Sequence, residues 1–138
     1  MGALIDSSVF VEAERGRLDL GAWLEKRSGE SFAISAVTLS ELWHGVHRAA
    51  SGRRRAAREA FVRSVFDDFP VLPFDAKAAE VHARLWAQLA ARGTLLGAHD
   101  LLIAATAVAA DMGIVTLNLR EFRRVPGLRV YDPLSGAD

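Results

Sequence analysis

The sequence predicts an α/β domain in which a central, mainly parallel sheet of about four or five short strands carries helices on both faces. Short apolar runs alternate along the chain with longer stretches of helical periodicity, which is the pattern of strand–helix–strand units. The chain has 138 residues, the size of one ordinary domain, and 51% of them are hydrophobic, enough to build a core. We therefore expect residues 1–138 to form a single domain.

The individual elements follow from these runs and from helix start and stop signals. Strands are expected over residues 3–5, 31–34, 71–72, 114–116 and 128–131. Helices are expected over residues 7–14, 18–26, 35–50, 53–67, 75–92 and 98–111. Ser7 or Ser8 is expected to cap the first helix and Asp75 the fifth, because such side chains accept hydrogen bonds from first-turn amides.

The fifth helix is expected to be amphipathic and to end at Gly93. Its inner face, read from the helical spacing of the larger side chains, comprises Ala79, His82, Leu85, Trp86 and Leu89.

Composition excludes several kinds of protein. The chain has no cysteine, which rules out disulfides, thiolate chemistry and Cys-based zinc sites. Its longest apolar stretch, residues 101–110, is broken by Thr106 and is too short to cross a bilayer. Residues 1–10 lack the positively charged start of a signal peptide. We expect no membrane association and a cytoplasmic location.

Arginine is concentrated in one part of a chain whose net charge is zero. Residues 48–63 contain six arginines and one acid, Glu59. Arginine suits bidentate recognition of phosphate, but a charged run is equally typical of a solvated helix face, and both interpretations stay open. If the region binds nucleic acid, the expected contacts are Arg48, Arg53, Arg54, Arg55 and Arg58.

Four polar residues, distant in sequence, stand at strand ends or near helix starts. Asp6 and Asn118 each follow a predicted strand, Glu41 lies early in the third helix, and Asp100 lies near the start of the sixth. Ligands of parallel sheets bind outside the carboxyl ends of the strands, so all four side chains can face one crevice.

Each of these residues also has a structural explanation. Asp6 can cap the following helix, Glu41 can be an exposed first-turn acid, and Asn118 can be a turn residue. Asp100 is harder to explain in this way, because five apolar residues follow it and a buried carboxylate needs a partner or a metal. Carboxylate and amide oxygens are ligands that Mg²⁺ and Mn²⁺ prefer, and such a site can hydrolyse a phosphodiester.

Several stretches of the chain match a known pattern in order and at suitable spacing. They are LIDSSVF at residues 4–10, SAVTLSEL at 35–42 with Gly45, GAHDLLIAATA at 97–107, TLNLREF at 116–122 and VPGL at 125–128. Together they resemble the PIN-domain family, and specifically the VapC toxins of bacterial type II toxin–antitoxin pairs. The likeness covers nearly the whole chain and implies the α/β PIN fold.

The resemblance implies an endoribonuclease that depends on Mg²⁺ or Mn²⁺ and cuts RNA, with tRNA as a candidate substrate. Asp6, Glu41 and Asp100 match its catalytic, metal-binding acids. Asn118 stands where many relatives carry a fourth acid, and Glu121 is an alternative source of that charge. Ser8 and Thr116 match the family positions whose hydroxyl groups hold metal-bound water or phosphate.

The resemblance also implies a homodimer, or a heterotetramer or larger assembly with a VapB-type antitoxin whose C-terminal segment covers the acidic crevice. An apolar groove for a partner helix is a hypothesis for Phe61, Val62, Val65 and Phe66, although for Val62 and Phe66 we favour the core.

Two other functions stay open. The first is a phosphatase with Asp6 as nucleophile, which usually needs a second Asp where this chain has Ser8. The second is a catalytically weak PIN-like module that binds RNA or protein, favoured by Asn118 in place of an acid.

Overall fold

A five-stranded sheet with every strand parallel forms the centre of the computed structural model, which describes residues 2–135. Its strands are β1 (Gly2–Ile5), β2 (Ser31–Ser35), β3 (Val71–Leu72), β4 (Gly113–Val115) and β5 (Val130–Tyr131). Their order across the sheet is β3-β2-β1-β4-β5, so the first strand lies in the middle. Residues 1 and 136–138, which belong to the predicted single domain, lie outside the described part.

Seven helices connect the strands. They are α1 (Ser7–Glu14), α2 (Leu20–Glu25), α3 (Ala36–Arg48), α4 (Arg53–Asp68), α5 (Ala76–Ala91), α6 (Ala98–Ala109) and α7 (Leu119–Phe122). The predicted fold class is confirmed, and each predicted strand or helix begins and ends within two residues of the observed one. The four-residue α7 is an addition to the predicted set.

Both faces of the sheet are buried, which explains why the strands are apolar without alternation. Ala3 and Ile5 on one face of β1 pack in a core with α1, α2, α3 and α4. Leu4, which points to the other face, packs with Ala107 of α6, and α5 lies against α6 on that side. Within residues 2–135, none of the helices has both the length and the apolar character of a membrane span.

The predicted helix signals are partly confirmed. The side chain of Asp75 accepts a hydrogen bond from the amide of Ala78 at 2.9 Å, and Gly93 follows α5 with a φ of +68° that suits glycine. The prediction that Ser7 or Ser8 caps α1 is wrong, because both serines lie inside the helix and Asp6 occupies the cap position.

The inner face of α5 is only partly as predicted. Leu85 and Leu89 are fully buried, whereas Trp86 is 52% exposed and Ala79 is also exposed. A period of 3.6 residues allows two stripes that differ by one position, and packing against α6 selects the stripe that contains Ala78.

In α4, the assignment of Val62 to the core is confirmed, since it has no exposed surface. The assignment of Phe66 to the core is wrong, because its side chain is 53% exposed. The buried side of α4 passes through Val62 and Val65, and Phe66 lies beside that stripe rather than on it.

Candidate functional site

The sheet order brings together two strand ends that are far apart in sequence. Ile5 of β1 pairs in register with Val115 of β4, so the residues that follow them, Asp6 and Thr116, meet at the carboxyl edge. The chain leaves β1 toward β2 on one side while β4 lies on the other, which makes this edge the switch point of the sheet. Ligands of open α/β folds bind at such a point.

Asp6 is a buried carboxylate held by hydroxyl groups, with 1% of its surface exposed. Its Oδ2 atom accepts hydrogen bonds from Ser8 Oγ at 2.7 Å and Thr116 Oγ1 at 2.9 Å. Among the described residues, no protein donor reaches Oδ1, and the side chain makes no helix-cap bond. Asp6 therefore stands at the cap position of α1 without capping the helix through its side chain, and one of its carboxylate oxygens is left for a ligand.

Glu41 lies in the second turn of α3 and is half-buried, so it is not the exposed first-turn acid of the structural explanation. Its Oε1 atom accepts a hydrogen bond from Ser7 Oγ at 3.0 Å. Its Oε2 atom lies 3.4 Å from His99 Nδ1, an ion pair when the imidazole is protonated. Glu41 therefore links the starts of α1 and α6 at the same edge of the sheet.

Asp100 is the third residue of α6 and is half-buried. Burial is the largest cause that raises the pKa of its carboxyl group from 3.8 to about 6. The negative charges of Asp6, Glu41 and Glu121 raise this pKa further, and the neighbouring His99 lowers it. Three other carboxylates, distant in sequence, therefore lie within electrostatic reach of Asp100 at this edge of the sheet.

Asn118 and Glu121, the two candidates for completing the site, differ in what they contribute. Asn118 is exposed at the start of α7, and its backbone N–H donates to Thr116 Oγ1 at 2.9 Å. Its side chain makes no helix-cap hydrogen bond. Glu121 is half-buried, and its charge reaches Asp100. Which of the two completes the site stays a prediction.

Two of the five candidate RNA-binding arginines join helices to one another. Arg55 Nη2 donates to the carbonyl oxygens of His47 at 3.0 Å and Ala49 at 3.1 Å, which satisfies the end of α3. Arg58 Nε forms an ion pair with Glu14 Oε2 at 3.1 Å and ties α4 to α1. Sequence reasoning missed these roles because the carbonyl partners of Arg55 carry no sequence signal and because Glu14 lies 44 positions away from Arg58.

The other three candidates, Arg48, Arg53 and Arg54, are exposed. Arg48 and Arg54 line a cavity of about 550 Å³ beside the end of α3. An RNA contact by these side chains stays a prediction.

A cleft of about 600 Å³ connects the acidic edge with this basic region. Its lining includes Glu41 and His99 of the acidic edge as well as Arg48 of the basic region. Val11 and Phe61 contribute apolar surface to the same cleft. Because Arg48 also lines the smaller cavity, the two spaces adjoin.

The donor set of the acidic edge fits a hard divalent cation. Its side chains offer carboxylate oxygens, and buried Asp6 has an oxygen without a protein donor. No three His, Cys, Asp or Glu side chains among residues 2–135 are grouped closely enough to form a metal cluster by themselves. Mg²⁺ commonly keeps several of its waters and needs few direct protein ligands.

A nucleophilic role for Asp6 is less well supported. The phosphatase alternative needs a second acid two residues further on, and that position holds Ser8, whose hydroxyl donates to Asp6. No acid is available there to protonate a leaving group.

Comparison with known proteins gives one consistent result. The model of the PIN domain family matches residues 3–128. Ribonuclease VapC1 of Rickettsia felis is 35% identical over 130 residues, which are 94% of this chain and 95% of that protein. The tRNA(fMet)-specific endonuclease VapC of Salmonella typhimurium is 37% identical over 99 residues, 72% of this chain and 73% of that protein.

Among solved structures, VapBC-5 from Mycobacterium tuberculosis, a member of the VapBC family of toxin–antitoxin systems, superposes with a TM-score of 0.75 and 30% identity. The match covers 96% of that chain and 94% of this one.

Proposed function

Because the chain belongs to the VapC ribonucleases of the PIN-domain family, we propose that it is a toxin that cuts RNA at the acidic edge formed by Asp6, Glu41 and Asp100. The observation that carries this proposal is a set of contacts at one edge of the sheet: the adjacent residues Ser7 and Ser8 donate to Glu41 and Asp6, and Glu41 Oε2 lies 3.4 Å from His99, the residue before Asp100. Residues 6, 41 and 100 are far apart in sequence, so only the fold brings these acids within electrostatic reach.

We propose that the three carboxylates hold Mg²⁺ or Mn²⁺. A bound divalent cation would supply an activated water and stabilise the charge that develops on the phosphodiester. Asp6, buried and hydrogen-bonded through Oδ2, would provide the most rigid ligand. The raised pKa of Asp100 would fall when a cation binds, because positive charge favours the ionised carboxyl group. Exposed Arg48 and Arg54 would bind the RNA backbone beside the cleft.

The test of this function is cleavage of tRNA by the purified protein. The name of the Salmonella relative makes tRNA(fMet) the first substrate to try. We expect cleavage with Mg²⁺ or Mn²⁺, none with EDTA, and at least a hundredfold loss in Asp6→Asn, because the amide is neutral. Asp75→Asn is the matched control, since asparagine caps a helix as well as aspartate and position 75 is exposed. Cleavage by Asp6→Asn at the parental rate would refute the mechanism.

We further propose that a VapB-type antitoxin neutralises the toxin by laying its C-terminal segment in the cleft beside Glu41, within an assembly built on a toxin homodimer. The cleft is lined by the acidic side chain of Glu41, by the apolar side chains of Val11 and Phe61, and by the basic side chain of Arg48. A segment that carries basic, apolar and acidic residues would match this lining. Since RNA and the antitoxin would both be met inside the bacterial cell, the cytoplasmic location fits this function.

The alternative of a catalytically weak RNA- or protein-binding module keeps two supporting observations. The acids among residues 2–135 are not gathered into a metal cluster, and Asn118 carries no charge. Calorimetry separates the two functions, because a weak binding module would show no heat of binding with millimolar Mn²⁺.

A further inference from the structure

We infer that Ser8 and Thr116 are positioning residues that orient the carboxylate of Asp6, instead of donating hydrogen bonds to a substrate phosphate. This inference rests on the proposed function, since it concerns how Asp6 is presented to a cation. It differs from the role that the family resemblance implies for the two hydroxyl groups.

The hydroxyl groups belong to a continuous chain of hydrogen bonds. The backbone N–H of Leu117 donates to Ser8 Oγ at 3.1 Å, and the backbone N–H of Asn118 donates to Thr116 Oγ1 at 2.9 Å. Both hydroxyls in turn donate to Asp6 Oδ2, at 2.7 and 2.9 Å. The backbone amides of Leu117 and Asn118, which are adjacent in the β4–α7 connection, are therefore each linked to the carboxylate of Asp6 through one hydroxyl side chain.

The direction of these bonds follows from counting protons. A hydroxyl group has one proton, and in each residue a backbone amide points at the hydroxyl oxygen, so the proton is directed elsewhere. The nearest acceptor for both hydroxyl protons is Asp6 Oδ2, since the two hydroxyl oxygens lie 3.5 Å from each other. Neither proton remains to be donated to a phosphate, and within residues 2–135 no protein donor reaches Asp6 Oδ1.

Burial explains why this arrangement is needed. Asp6 is 1% exposed and Thr116 is fully buried, so water cannot solvate Oδ2. Hydrogen bonds to a buried carboxylate restrict its rotation and so fix the direction of its other oxygen. Removing either hydroxyl would therefore weaken cation binding even when no RNA is present.

The experiment measures Mn²⁺ binding by calorimetry at pH 7.5 without RNA, in Ser8→Ala and Thr116→Val. We expect each variant to bind Mn²⁺ about 10- to 100-fold more weakly than the parent, the usual effect of losing a group that orients a metal ligand. Thr116→Ser, which keeps the hydroxyl, should stay within about threefold of the parent. In cleavage assays the KM for tRNA should stay constant in Ser8→Ala while kcat falls.

Matched controls exist for both substitutions. Thr106→Val removes a buried hydroxyl that donates to the carbonyl of Leu102 in its own helix, and Ser64→Ala removes an exposed hydroxyl that donates to the carbonyl of Phe61. Both controls should bind Mn²⁺ like the parent. Circular dichroism reports folding, and if Thr116→Val does not fold, the half-buried Ser8 variant decides the question.

Two results would overturn the inference in different ways. Parental Mn²⁺ affinity in folded Ser8→Ala and Thr116→Val, with cleavage lost, would show that the hydroxyls act on water or RNA. A parent protein that neither binds Mn²⁺ nor cuts RNA would remove the proposed function itself, and the positioning role with it.

Discussion

Replacement of Asp100 by asparagine should stabilise the protein when no cation is present. The carboxyl group of Asp100 is ionised at neutral pH, although burial and three neighbouring acids raise its pKa from 3.8 to about 6. A shift of this size corresponds to about 3 kcal/mol of destabilisation, which we reduce to about 1–2 kcal/mol because the group is only half-buried and solvent screens it. Asparagine has nearly the same shape without the charge.

The substitution also removes a negative charge from the first turn of α6, where the helix dipole favours it by about 0.3–1 kcal/mol. The net gain is then about 1 kcal/mol in the free energy of unfolding at pH 7.5. For a domain of this length it corresponds to about 3 °C in Tm. Thermal unfolding followed by circular dichroism in EDTA measures the difference.

The pH dependence has a definite sign. A carboxyl group whose pKa is raised by folding binds more protons in the folded state, so its destabilising effect is complete above about pH 6 and absent below 3.8. The advantage of Asp100→Asn should therefore shrink as the pH falls from 7 to 4. Millimolar Mn²⁺ should reverse the order by stabilising the parent alone.

Asp75→Asn provides the control, because its exposed carboxylate caps α5 and asparagine caps equally well. Its Tm should match that of the parent at each pH. If Asp100→Asn is less stable than the parent in EDTA at pH 7.5, or if its advantage does not depend on pH, our account of the acidic edge is wrong.

Three further predictions concern the surroundings of the site. Arg48→Ala should weaken RNA binding similarly for all RNA sequences and reduce the slope of log affinity against log salt concentration by about 1. Filter binding measures this slope, and an unchanged slope would argue against a phosphate contact. Glu121→Gln should weaken Mn²⁺ binding several-fold while Asn118→Ala changes it little, because the charge of Glu121 reaches Asp100. Calorimetry measures both affinities, and a larger loss in Asn118→Ala than in Glu121→Gln would identify Asn118 as the residue that completes the metal site. Val11→Arg should block the cleft and weaken binding of a cognate VapB-type antitoxin at least tenfold in calorimetry. Ala87→Arg, at an exposed position of α5, should not, and equal effects of the two substitutions would place the antitoxin elsewhere.

Local sequence patterns predicted the strand and helix order because they reflect local physics. A buried parallel strand is apolar throughout, as Ala3 to Ile5 show, and a cap such as Asp75 acts on the amide three residues away. The sequence predicts the buried stripe of α5 one position away from the observed stripe, because a helix has no preferred face until a neighbouring element packs against it. Trp86 is exposed for this reason.

In the arginine-rich region, too, the sequence predicts the charge but not the contacts of each side chain. Its charge was evident from the sequence, but charge alone does not distinguish Arg48, which is exposed, from Arg55, which closes the end of α3. That difference depends on how α4 turns back against α3, a contact without a periodic signal.

The sequence by itself determined the α/β class, the strands that end in polar residues, and the three acids as candidates for one site. Tertiary structure alone decided which groups form hydrogen bonds with those acids. Thr116 reaches Asp6 across 110 positions of sequence because β1 and β4 pair side by side. Strand pairing is a long-range choice made by the whole core, and no local propensity records it.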